Sequence, residues 1–234
     1  TMKLLSHFDI HTKVIAHHAH NEKQSTEGIL QLLHEGKQIA LVSDAGYPLI
    51  SDPGQILVPR AIEEGFPVIP VNGSSAMLSA LVASGLCAMP FYFHGFLPAK
   101  TSAARKELNE LKGFKCTMVF YEAPHKLLST LEDMLTAWGD RRLCLARELT
   151  KLHEEIIRTT TKEAVDKYAD GSLKGEIVLI LEGKTAQDTD EYTLANAVSM
   201  AQKFISDGMK PTDAAKEASK ITKIRKNDIY KELI

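Results

Sequence analysis

Three cysteines, Cys87, Cys116 and Cys144, are too few, odd in number and too scattered to form a disulfide framework. Set among apolar neighbours, they read as reduced core thiols of a cytoplasmic protein. No apolar run approaches the ~20 residues that cross a bilayer. Lys3, Ser6, His7 and Asp9 interrupt Thr1–Ile10, so that stretch does not read as a secretory signal. Strong charge of one sign is missing as well: the net charge is −2, and any nucleic-acid contact has to come from local basic patches. Neither G-x-G-x-x-G nor a P-loop lysine pattern occurs, which removes the usual signatures for binding dinucleotide or nucleotide phosphates. His17, His18 and His20 lie close together, but no Cys or second His group completes a ligand set, and no metal is expected.

What is present is a globular composition, 44% hydrophobic and 25% charged in 234 residues, long enough for two modest domains. Residues 1–94 alternate strand-like and helix-like segments. Lys13–Ala16 is a short strand, and Gln24–Glu35 a helix stopped by Gly36. Ile39–Val42 is a buried strand, followed by a helix that Gly65 ends. Pro67–Val71 is a third strand, and a helix of small residues then runs to Gly85. That alternation predicts an α/β domain with parallel pairing. Over 95–185 the pattern changes. The aromatic strand Phe91–Phe96 leads in, and a basic helix follows at Thr101–Lys112. Cys116–Tyr121, Leu143–Ala146 and Glu176–Leu181 read as strands. Leu127, Leu128, Leu131, Met134, Leu135 and Trp138 form a helical stripe that Gly139 closes. Lys184–Asp190 is a polar linker. In 190–234, three short helices carry Lys210, Lys216, Lys220, Lys223, Arg225, Lys226 and Lys231, a helix-turn-helix-like unit or a solvated helical cap.

Two loops stand out. Ser43–Gly54 follows a buried strand and holds two glycines and two prolines, so its backbone can come close to a ligand. Asp52 is placed to cap the next helix, with Pro53 at its first position. In an open α/β sheet such a loop sits where ligands bind, although an ordinary βα connection has the same form. Asn72-Gly73-Ser74-Ser75-Ala76 is a sharp strand-to-helix turn. It is not a nucleophile elbow, because Met77 stands where G-x-S-x-G needs its last glycine.

The Ser43–Gly54 dodecamer closely resembles the signature loop of the ribosomal-RNA cytidine 2'-O-methyltransferases, the small-subunit RNA branch of the tetrapyrrole methylase superfamily. His20-Asn21-Glu22, Gly95-Phe96-Leu97-Pro98-Ala99-Lys100, Phe120-Tyr121-Glu122-Ala123-Pro124-His125-Lys126, Arg147-Glu148-Leu149-Thr150-Lys151 and Gly175-Glu176-Ile177-Val178-Leu179-Ile180 match the same branch in order. The resemblance implies a two-domain fold, with a parallel α/β N-terminal domain, a mixed-sheet second domain and a small helical tail that docks RNA. The activity it implies is S-adenosylmethionine-dependent 2'-O-methylation of a cytidine in the decoding region of 16S ribosomal RNA. The expected setting is a cytoplasmic homodimer acting on the small ribosomal subunit.

By the same resemblance, Ala45, Gly46, Ile50, Ser75, Ala76, Glu122 and Leu149 contact the methyl donor, with Asn72 where relatives usually carry Pro. A ribose hydroxyl attacks only as its proton leaves, so a carboxylate, imidazole or lysine is needed near the acceptor. Glu122, His125, Glu148 and Lys151 follow strands and are the catalytic candidates. Lys100, Arg105, Lys106, Arg147, Lys223 and Lys226 are the candidates for RNA phosphates, with Lys112, Arg141, Arg142 and Lys151 as further cations. The family's opening strand and its Gly-Thr-Pro-Ile-Gly-Asn loop have no counterpart here, so a chain lacking that segment is expected. Two alternatives share part of the pattern. A small-molecule tetrapyrrole methyltransferase usually shows Gly-Asp-Pro in place of Gly46-Tyr47-Pro48, and an RNA-binding adaptor would keep the tail without donor affinity.

Overall fold

Three apolar runs with few charges, long enough for a strand and too short for a helix, pair at the centre of one sheet. The computed structural model describes residues 1–171, 173–185, 194–206, 208–222 and 224–233. These residues fall into two units, 1–183 and 184–234. The sheet of the first unit holds β1 (Phe91–Phe96), β2 (Thr117–Glu122), β3 (Arg142–Arg147), β4 (Glu155–Thr160) and β5 (Ile177–Leu181). Their spatial order is β1-β2-β5-β3-β4, with β1 and β2 parallel and the other neighbours antiparallel. β2, β5 and β3 are covered on both faces, which is why they read as nearly unbroken apolar runs.

Side chains alternate between the faces. Met118, Phe120, Leu143, Leu145, Leu179 and Leu181 point to one side, where α5 (Thr101–Leu111), α6 (Leu127–Trp138) and α7 (Thr161–Lys167) supply Leu108, Leu131, Met134, Trp138 and Ala164. Val119, Cys144, Ala146, Val178 and Ile180 point to the other side, against Ala80 and Leu81 of α4 (Ala76–Ala83). α6 ends at Gly139, whose φ of 76° lets it terminate the helix without a Cβ penalty. β4 and α7 were not foreseen. α7 opens with a capping box in which the Thr160 side chain accepts from Glu163 N–H and the Glu163 side chain reaches back.

Ahead of the sheet, α1 (Met2–His7), α2 (Glu22–His34) and α3 (Leu57–Glu63) form, and Ile29 and Leu30 of α2 pack on Leu57 and Ala61 of α3. The three runs expected as strands, Lys13–Ala16, Ile39–Val42 and Pro67–Val71, enter no ladder. A strand exists only as a paired ladder, and these runs find no neighbour among the described residues. Apart from Leu41, which packs against the α2–α3 cluster, their side chains stay open to solvent, Ile69 at 81% and Val71 at 85% exposure.

In the second unit α8 (Leu194–Ser206), α9 (Pro211–Thr222) and α10 (Lys226–Lys231) close on Ala197, Ala201, Ala214, Ala215, Ala218 and Ile229. Small side chains let α8 and α9 approach closely. The part of the expected linker from 186 to 190 lies outside the described residues, as does Lys223. Among the described residues no helix is long and apolar enough to cross a membrane.

Candidate functional site

The Ser43–Gly54 loop is held from behind by Glu22, at the start of α2. Its Oε1 accepts from Gly54 N–H at 2.8 Å and Ile56 N–H at 2.9 Å, and the side chain is only 13% exposed. The Ile56 bond, followed by that from Gly54, holds this carboxyl below its ordinary range against the opposing cost of burial. Glu22 thus satisfies the amides that precede α3. The expected arrangement, Asp52 as cap and Pro53 as first helical residue, does not occur: α3 begins at Leu57, and the carboxylate that accepts from Gly54 N–H comes from 32 residues upstream. His17 completes the clamp. Its Nδ1 lies 2.7 Å from Ser25 Oγ, and its buried Nε2 lies 4.0 Å from Glu22 Oε1. Among the described residues no group of three or more His, Cys, Asp or Glu is placed to hold a metal.

In front, the loop meets the turn before α4. Gly73 N–H donates to the Tyr47 hydroxyl at 3.0 Å, and a Cβ on Gly46 would stand 4.0 Å from Ser74 O. Ser75 caps α4 by accepting from Leu78 N–H. Around Gly73 a Cβ would meet nothing within 4 Å, so backbone is open to close approach here. Ala45, Gly46, Ile50 and Ala76 are exposed beside it. Leu49 and Ser51, at φ 70° and 62°, hold the left-handed conformation that non-glycine residues rarely adopt.

Tyr121 of β2 joins this loop pair to the sheet. Burial, and then the nearby Asp52 charge, push its phenol above the ordinary range, opposed by the adjacent Met77 backbone. Asp52 is half-buried, and burial, then the Asp44 charge, raises its affinity for a proton, opposed by the nearby Ser43 hydroxyl. An open cleft of about 490 Å³ lies alongside, lined by Leu49, Ile50, Ser51, Gln55, Phe93, His94 and Phe96. Leu149 packs on the same face, in the cluster with Met77 and Tyr121.

The catalytic candidates separate. Glu122 follows Tyr121 and so points to the opposite face, where it is 5% exposed, accepting from Thr130 Oγ1 at 2.6 Å and Ala123 N–H at 2.7 Å. Glu148 (φ 51°) accepts from Glu176 N–H at 2.8 Å and from Lys151 Nζ at 3.0 Å, and Lys151 also reaches Glu176 at 3.0 Å. The Glu176 amide, then Lys151, holds the Glu148 carboxyl below its ordinary range, while Glu148, then Glu176, raises the ammonium of Lys151. Gly175 is required beside this trio, since a Cβ there would fall 2.5 Å from Glu148 Cγ. His125 is exposed in the turn Pro124–Lys126 after β2, between half-buried Pro124 and Lys126.

The cations divide as well. Arg105 binds Asp133 at 2.7 Å, Arg147 binds Glu155 at 2.7 Å and Lys174 O at 3.1 Å, and Arg142 meets Glu182 at 3.5 Å. Arg141 is buried, donating to Lys112 O and lying over the Trp138 ring. Lys100 and Lys106 are exposed, Lys106 standing 3.9 Å from Glu110, and Lys226 is half-buried. The roles of Glu22, Tyr121 and Asp52 were missed. For Glu22 the signal was its place in the His20-Asn21-Glu22 motif; for Tyr121 it was the parity of β2.

Residues 3–165 match the family model for tetrapyrrole (corrin/porphyrin) methylases. Ribosomal RNA small subunit methyltransferase I of Halalkalibacterium halodurans is 44% identical over 233 residues, 98% of this chain and 81% of that protein. Its namesake from Bacillus subtilis is 39% identical over 234 residues, 98% of this chain and 80% of that protein. Among solved structures, the methyltransferase CobJ superposes with a TM-score of 0.53 at 19% identity, covering 68% of this chain and 70% of that one.

Proposed function

The chain belongs to the tetrapyrrole (corrin/porphyrin) methylase family, alongside the ribosomal RNA small subunit methyltransferases I, and on that premise we propose that it methylates the 2'-oxygen of a cytidine ribose in the decoding region of small-subunit ribosomal RNA. The observation that carries the reading is the convergence of the Ser43–Gly54 loop, the Asn72–Ala76 turn, Tyr121 and Leu149 on one face of the sheet. In this reading Ala45, Gly46, Ile50, Ser75, Ala76 and Leu149 hold S-adenosylmethionine. The donor carries no phosphate, and the open backbone at Gly73 and the exposed apolar Ile50 suit an adenosyl group and a methionyl chain. When bound, the donor supplies an activated methyl on a sulfonium.

The protein's part is to align acceptor with donor and to take the ribose proton. Glu122 is spent on Thr130 and its own turn, and Glu148 and Lys151 on one another, so proton removal is assigned to His125. Lys100 and Lys106 hold flanking phosphates, and Lys226 of the helical tail adds a further contact. Glu148, Lys151 and Gly175 set the shape of the loop that carries Leu149. The enzyme works in the cytoplasm as a homodimer on the assembled small subunit.

Labelled S-adenosylmethionine, offered with unmodified small ribosomal subunits and, separately, with a porphyrinogen, tests the proposal. Label in RNA alone is expected. Label in the tetrapyrrole alone, or donor binding without transfer to either, would reject it.

A further inference from the structure

Phe96 lies on a face of the sheet that strand periodicity does not assign to it. Phe91 and Phe93 pack on the α4 side, and strict alternation would place residue 95 with them and Phe96 on the opposite side. The pairing of β1 with β2 slips between Phe93 and Gly95, so that Phe96 stands opposite Tyr121. The Phe96 ring lies 5.5 Å from that of Tyr121, and Phe93 meets the same ring edge-on at 5.1 Å. Gly95 (φ 79°) permits the slip and brings its backbone so close to the loop that a Cβ would sit 3.0 Å from Ser51 Oγ. Bulges next to sites re-aim a side chain, and this one turns an aromatic ring from the interior into the cleft.

There the ring stays 55% exposed. Across the cleft stand Leu49, Ile50, Ser51 and Gln55, with Leu49 and Ser51 in their left-handed conformation. Gln55 donates to Leu49 O at 2.8 Å, which fixes its amide at the rim with the side-chain oxygen as an acceptor. Lys100 follows Phe96 by four residues, within about 14 Å along the chain, and carries an exposed positive charge. A flat aromatic face, a hydrogen-bonding rim and a nearby cation together match an unstacked nucleotide, with its base on the ring and its phosphate toward the lysine. We propose that Phe96 is the stacking platform for the target pyrimidine base, which must leave its own stack before its ribose can reach the donor. The assignment rests on the RNA reading given above.

The test uses the full chain with Phe96 unchanged, Phe96→Ala and Phe96→Trp. Phe96 is largely exposed, so neither substitution disturbs the core. With unmodified small subunits as acceptor, Phe96→Ala should raise KM roughly 10- to 100-fold. The dissociation constant for S-adenosylmethionine, titrated separately, should stay within about twofold, and Phe96→Trp should restore the KM. The natural tryptophan, Trp138, is buried on the far face. The new indole should therefore report directly, with its fluorescence quenched by a short cytidine-containing single-stranded RNA and not by the donor. Loss of donor affinity in Phe96→Ala would show that the ring covers the donor, and unchanged kinetics would show that it is idle. Either result overturns the proposal. Phe96-dependent RNA binding without methyl transfer by the wild type would end the proposed reaction and keep the platform, and transfer indifferent to Phe96 would do the reverse.

Discussion

Replacing Glu22 by alanine removes one carboxylate and leaves two loop amides, Gly54 N–H and Ile56 N–H, without their acceptor. A hydrogen bond to a charged group contributes about 1.5–3 kcal/mol. The two share one oxygen, and water reaches part of the site once the side chain is gone, so the combined loss is roughly 2–4 kcal/mol, not the full sum. The loop also holds Leu49 and Ser51 in left-handed conformations, each of which costs of order 1–3 kcal/mol unless its surroundings enforce it. Without the clamp these residues relax, and the binding-competent loop becomes a minor state. If about 2 kcal/mol of the loss falls on loop order, donor affinity drops roughly 30-fold.

Glu22→Gln keeps an acceptor oxygen without the charge and should lose about 1 kcal/mol. The pH dependence has a definite sign. Because the folded state holds this carboxyl below its ordinary range, its contribution is complete above that range and disappears as pH falls through the lowered value. Glu22→Gln should lack that component. The assays are urea unfolding at a series of pH values, amide hydrogen exchange at Gly54 and Ile56, and donor titration. If Glu22→Ala matches the wild type in stability and in exchange at both amides, the clamp is not what holds the loop.

Gly175→Ala drives a Cβ into Glu148 at a residue with φ 102°. A fall in melting temperature of several degrees is expected, together with weaker donor binding through Leu149. His125→Ala should lower kcat by roughly 10²- to 10⁴-fold with an unchanged unfolding midpoint and an unchanged dissociation constant for the donor. Removing Lys100 or Lys106 should weaken RNA binding and reduce the salt slope by about 0.7–0.9 each. Arg105→Ala, whose guanidinium is engaged with Asp133, should change that slope less.

The sheet was legible where burial on both faces leaves a mark. Thr117–Glu122, Arg142–Arg147 and Ile177–Leu181 are apolar nearly throughout, and the α6 stripe ends at a glycine that can take positive φ. β4 was not legible, because Glu155–Thr160 is an edge strand with half-exposed, mixed side chains. The Thr160–Glu163 spacing that opens α7 could have been read from the sequence. Ile39–Val42 and Pro67–Val71 show the limit of apolar runs as evidence. Strand composition is local, but a strand forms only where a distant segment pairs with it.

Parity decided the site in the same way. Recognising the motif that contains Tyr121 and Glu122 does not say which of the two lies on the α4 side of the sheet; the register of β2 does, and it selects Tyr121. For Phe96 even parity fails, because the bulge at Gly95 is a property of the pairing and not of either strand alone.

The most direct measurement follows the methyl group to its atom. Small subunits labelled by the chain from S-adenosylmethionine are digested to nucleosides, and the labelled nucleoside is identified by chromatography against standards. The account predicts label in 2'-O-methylcytidine. Label in a base-methylated nucleoside, or in no nucleoside while the donor binds, would contradict it.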